Sequence, residues 1–125
     1  MKISGFSFVR NGISLYYPVV ESIRSILPVV DEFVVAVGQS DDGTREAIEN
    51  IADPKIRIID TVWDEKYFKR GIINSIQTDI AKDQCSGDWL FYVQADEVVH
   101  EDDLPLIKAR CEELTDDSDV EGLLF

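Results

Sequence analysis

The chain has 125 residues, a formal net charge of −13, and 45% hydrophobic and 10% aromatic residues. That length suits one domain with a genuine core, and the apolar content excludes a disordered chain. No run approaches the roughly 18 apolar residues of a spanning helix, and the start of the chain lacks a signal-peptide pattern, so a cytoplasmic protein without a transmembrane segment is expected.

Eleven acids but only Lys108 and Arg110 fall between Gln94 and Glu121. Such a surface repels nucleic acid and anionic membrane, and no basic stripe opposes it. A solvated helix face and an acidic loop account for most of these charges. Cys85 and Cys111 form no C-x-x-C pair. Neither a zinc site nor a disulfide framework is implied, and both are expected to pack as small hydrophobes.

Lys2 to Val9 reads as a first strand, closed by Arg10-Asn11-Gly12, since Asn-Gly signals a turn. Pro18 suits a first helical turn, after which Val19, Val20, Ile23, Ile26 and Leu27 share one helical face until Pro28. Phe33 to Val37 is a second strand and Gly38 to Thr44 the loop after it. Asp42 is expected to cap a helix whose buried stripe is Ala47, Ile48 and Ile51. Ile56 to Ile59 is a third strand, and Trp63 to Arg70 an irregular connection. A helix from about Gly71 to Asp83 should turn Ile72, Ile73, Ile76 and Ile80 inward.

Trp89 to Val93 then forms an apolar run with no polar face, which reads as a central parallel strand covered on both sides. Gln94, Asp96 and Glu97 stand just past its carboxyl end, where open α/β sheets bind ligands. Beyond His100, a cap at Asp102 or Asp103 should open a helix carrying Leu106, Ile107, Cys111 and Leu114. Glu121 to Phe125 starts a further strand. Strands alternating with helices argue for an α/β fold with a mostly parallel sheet.

Polar residues thus gather at the ends of four strands: Phe8 to Asn11, Gly38 to Asp42, the Trp63 to Arg70 connection, and Gln94 to Glu97. Asp96 offers the hard anionic oxygen that Mg²⁺ or Mn²⁺ prefers, and its bland reading is a loop-opening acid. Arg70 suits a diphosphate, because guanidinium forks match phosphate oxygens, or else belongs to a solvated face with Lys66 and Lys69. His100 reads as structural and Trp89 as core. Trp63 and Tyr67 are expected to pack between helix and sheet rather than to line a pocket.

The stretch from Gly87 to Glu97 resembles the GDW-x-x-x-x-DADE signature of family 2 glycosyltransferases, whose nucleotide-sugar-binding domain has the Rossmann-like GT-A fold. There the x-D-x-D element meets the ribose and the metal on the diphosphate. The resemblance implies those roles for Gln94, which replaces the first acid, and for Asp96. Asn11 matches the end of the family's first-strand turn beside the base, and Ser40, Asp42, Gly43 and Thr44 match the tail of its second loop. The family's base-reading acid falls on Val37 or Gly38, so Phe8, Arg10 or backbone near Gly38 would read the base. An Arg that reaches the diphosphate corresponds to Arg70.

What the resemblance implies is a nucleotide-diphospho-sugar donor, a Mg²⁺ or Mn²⁺ cofactor, and inverting transfer to a glycan, lipid or protein acceptor. The family's catalytic base lies downstream of the strand begun here at Glu121. The 125 residues therefore read as the donor half of a longer transferase, with that last strand available for pairing with a second copy. A nucleotide-binding or interaction module without transfer is the competing reading, favoured by Gln94 and the missing acid. A nucleotidyltransferase would want a glycine-rich basic loop after the first strand, and Arg10-Asn11-Gly12 is too short for one.

Overall fold

The computed structural model describes residues 1–124, the side chain of Arg70 excepted. Strands β1 (Ile3–Val9), β2 (Glu32–Gly38), β3 (Ile56–Thr61) and β4 (Trp89–Tyr92) form one sheet in the order β3-β2-β1-β4, and every pair is parallel. Helices α1 (Val19–Ile26), α2 (Thr44–Glu49), α3 (Ile72–Lys82) and α4 (Leu104–Leu114) connect or follow them.

Alternation along the strands sorts side chains into two layers. On one face Ile3, Val9, Phe33, Val35 and Val37 pack with Val19, Ile23 and Ile26 of α1, Ile48 of α2 and Cys111 of α4. On the other, Phe6, Val34 and Ala36 pack with Ala81 of α3, flanked by Ile80 and Cys85. Helices therefore cover both faces of a mostly parallel sheet, as the alternating pattern predicts.

The expected central position of Trp89 to Val93 is corrected. Among the described residues β4 is an edge strand, paired only with β1. Phe91 and Val93 are buried, whereas Leu90 and Tyr92 are about 40% exposed. The reason is the reach of α3, which lies over β1 and β2 and leaves that face of β4 open; Tyr92 covers itself only by stacking on Phe6, with ring centroids 5.1 Å apart.

Two further expectations fail. Residues 121–124 form no strand; Leu123 packs against the core, Leu124 is fully exposed, and Phe125 lies outside the described residues. Pairing of copies through that strand thereby loses its premise. In α3 the buried stripe is Ile73, Gln77 and Ala81, while Ile72 faces solvent. Gln77 holds a core position because its Oε1 accepts the Thr61 hydroxyl at 2.6 Å, which satisfies a buried amide.

Strand order reverses between β1 and β4. Helices α1 and α2 return the chain on one face, and α3 carries it across the other. At such a switch point the two connections part in opposite directions and leave a crevice beyond the carboxyl ends of the strands.

Candidate functional site

A cleft of about 610 Å³ opens at that switch point, lined by Phe8, Arg10 and Asn11 from the end of β1, Trp63 after β3, and Tyr92, Gln94 and Asp96 around the end of β4. A side pocket of about 230 Å³ adjoins it through Arg10, Asn11 and Trp63 and adds Gln39, Ser40 and Asp41. The structure thus brings together Phe8, Arg10, Asn11, Gln94 and Asp96. Leu15, Tyr17 and Asn74 also line the cleft. No spacing in the sequence signals them, because they arrive from a loop and a helix whose approach depends on the fold.

The loops after β1 and β2 are laced together. Asn11, in the left-handed region at φ 50°, donates its N–H to Ser40 Oγ at 2.9 Å and accepts the Asp41 N–H on Oδ1 at 3.0 Å. Asn tolerates that backbone because its short polar side chain bonds locally. Asp42 accepts the Ser14 N–H (2.8 Å) and hydroxyl (3.0 Å), and also the Thr44 N–H (3.0 Å) and hydroxyl (2.5 Å). Burial alone would raise its pKa, but the bonds from Thr44 and Ser14 outweigh it and hold the carboxyl at about 2. The expected capping role is refined accordingly: Gly43, at φ 83°, is the N-cap of α2, and Asp42 ties the first-turn residue Thr44 to the neighbouring loop.

Trp63 departs from the expected packing between helix and sheet. Its indole lies over Gly38, where a Cβ would stand 2.6 Å from Nε1. The Arg10 guanidinium sits 5.7 Å from the ring centroid, and the Phe8 ring is 6.1 Å away. Gly38 consequently lines neither cavity and meets the indole instead. Trp63 Nε1 is buried without a hydrogen-bond partner, a cost on the order of 1–3 kcal/mol. Tyr67 lies at the surface against Lys66 Nζ.

Past β4, the chain turns sharply. Glu97 Oε1 accepts the Gln94 N–H at 3.0 Å, and the Gln94 carbonyl accepts the Glu97 N–H at 2.9 Å. Glu97 is therefore engaged in closing the turn, while Asp96 is exposed to the cleft and makes no hydrogen bond or ion pair among the described residues. His100 is structural, as expected: its Nδ1 accepts the Asp102 N–H at 3.1 Å and caps the short 3-10 turn Glu101–Asp103, while Asp103 stands at the N-cap of α4, as expected, without a side-chain cap bond. The Arg70 side chain, expected at the diphosphate, lies outside the described residues.

Among the described residues no cluster of three His, Cys, Asp or Glu is arranged to hold a metal. One free carboxylate beside an amide is the donor set of a hard cation that takes its remaining ligands from phosphate oxygens and water. Such a set fits a cation bound together with an anionic ligand, not a cation bound alone.

The parallel order β3-β2-β1-β4, helices on both faces and a crevice at the switch point define a Rossmann-like GT-A fold. No protein-family model and no curated protein matches the chain. Among solved structures it is similar to TarS of S. aureus. The crystal structure of TarS 1–349 aligns with a TM-score of 0.69 at 18% identity, covering 100% of this chain and 39% of that one. The same TarS fragment in complex with UDP aligns with a TM-score of 0.69 at 19% identity, over 90% and 32%. TarS itself aligns with 0.66 at 18%, over 99% and 23%. At this identity the likeness is one of fold, and the chain spans about two-fifths or less of those structures. No helix among the described residues is long and apolar enough to cross a membrane.

Proposed function

We propose that this chain binds a nucleotide-diphospho-sugar together with Mg²⁺ or Mn²⁺ and is the donor-binding half of a cytoplasmic, family 2-like, inverting glycosyltransferase acting on a glycan, lipid or protein acceptor. The observation that carries the reading is Asp96: a free carboxylate at the switch-point cleft of a fold whose similar structure, TarS, has been crystallised with UDP. Gln94 beside it can donate to or accept from a ribose hydroxyl. Arg10 and Trp63 border the 230 Å³ side pocket, which suits a base. The diphosphate would then lie between the two, towards Asp96.

In this reading the acceptor oxygen bonds to the anomeric carbon as the bond to the diphosphate breaks, and the acceptor proton passes to a general base. A bound cation would neutralise charge developing on the leaving diphosphate. Asp96, assigned to the cation, is not that base. We place the base in a segment outside these 125 residues.

Calorimetry with UDP, CDP, GDP and ADP, each with and without Mn²⁺, tests the reading. At least one nucleotide should bind, and Mn²⁺ should tighten it on the order of tenfold. Equal binding with and without the metal would remove Asp96 as a ligand. A second reading, nucleotide binding without transfer, is favoured by the family's base-reading acid falling on Val37 or Gly38, the latter lying under the Trp63 indole. Metal-coupled nucleotide binding without turnover of any nucleotide sugar, in a chain carrying the downstream half, would support it.

A further inference from the structure

Helix α1 carries a residue that no sequence signal marks. Ser22 is 1% exposed, in the middle of a helix whose other buried residues are Val19, Ile23 and Ile26. A serine so placed usually bonds back to its own helix, and alanine would favour the helix more. The Ser22 hydroxyl instead donates across 72 residues to the Gln94 carbonyl at 3.0 Å. One turn on, Ser25 Oγ accepts the Val99 N–H at 3.1 Å and donates to the Ser22 carbonyl at 2.6 Å. The two serines hold both ends of the segment that carries Asp96, and Glu97 closes the turn between them.

We infer that Ser22 is a positioning residue for the Asp96 carboxylate. The Gln94 carbonyl accepts from the Ser22 hydroxyl and from the Glu97 N–H. Remove the hydroxyl, and the turn keeps its local bond but loses its anchor to α1. Since α1 starts at Val19, just after the loop whose Leu15 and Tyr17 also line the cleft, the anchor ties the acid to that part of the lining. The side pocket is lined by residues of the loops after β1, β2 and β3, and neither Ser22 nor the segment from Gln94 to Val99 lines it. Groups that orient a metal ligand typically change metal affinity 10–100-fold when lost.

This inference rests on the metal-coupled reading above, and the experiment separates the two. UDP is titrated into wild type, Ser22→Ala and Ser22→Thr with and without Mn²⁺, and amide exchange is followed for residues 94–99. Ser22→Ala should bind UDP alone within about twofold of wild type while losing on the order of tenfold of the Mn²⁺-dependent tightening. Its amides from Glu97 to Val99 should exchange faster, and Ser22→Thr, which keeps the hydroxyl, should recover coupling and protection. Unchanged coupling in Ser22→Ala, or equal loss of UDP binding with and without metal, overturns the inference. Should wild type show no coupling, the proposed function fails, and the exchange data decide the inference alone: unaltered protection in Ser22→Ala overturns it.

Discussion

The two ends of the sheet differ in one carboxylate. At the amino ends of the strands, Glu32 accepts the hydroxyls of Ser4 (2.5 Å) and Ser86 (2.8 Å) and the Ser86 N–H (2.7 Å), Asp31 accepts the Ile3 N–H, and Asp88 the Lys2 N–H. At the carboxyl ends, Asp96 faces a cleft without a partner among the described residues, and Trp63 buries an N–H that has none there either. Acids at the first end close the fold. At the second end Asp42 and Glu97 also tie loops together, but Asp96 is carried by that network and takes no part in it, which is how a ligand site differs from a structural network.

If that contrast is right, its largest expression is Asp96→Asn. The metal dependence of nucleotide binding should vanish, a loss of the whole coupling of about tenfold, with a melting temperature close to wild type because no bond made among the described residues is broken. A marked drop in thermal stability would place Asp96 in the structural class and break the comparison.

Glu32→Gln should do the reverse, costing about 2 kcal/mol in urea unfolding at pH 7 and leaving nucleotide titrations unchanged. The Ser4 hydroxyl, against the cost of burial and with help from Ser86 and Lys2, holds the Glu32 carboxyl at about 2 instead of 4.5. A folded-state pKa below the unfolded one contributes stability that is complete above about pH 5 and is lost as pH falls through about 2. The difference between wild type and Glu32→Gln should therefore shrink across that window and disappear at its acid end. A constant difference down to pH 2 would deny the ionised network.

Gly38→Ala sharpens the comparison at the cleft. The new methyl would stand 2.6 Å from Trp63 Nε1 and 3.0 Å from Arg10 Cβ, so a destabilisation of about 1–2 kcal/mol by thermal melting is expected from overpacking. A neutral result would mean that the indole moves aside easily. The smallest effect belongs to Trp63→Phe. Losing an unpaired N–H favours the variant and losing ring contacts opposes it, so stability should stay within about 1 kcal/mol. A large loss would show that the indole N–H has a partner in solution.

Much of this was legible in the chain itself. Alternation of apolar runs with helical stripes places the four strands and four helices, and turn residues such as Asn11 and the acids after Val93 mark the strand ends that meet at the cleft. These are local signals: side-chain period, turn chemistry and caps each depend on a few neighbouring residues. What they could not decide is which strand lies next to which. The run from Trp89 to Val93 is as apolar as a central strand, yet among the described residues β4 pairs only with β1 and α3 lies over β1 and β2, and no residue within the run records that. The same holds for the Ser22 hydroxyl on the Gln94 carbonyl, the Trp63 indole over Gly38, and Gln77 in the core against Thr61. Each pairs residues from different elements, and a polar group's partner is set by the packed arrangement that buries both, not by the identity of either residue alone.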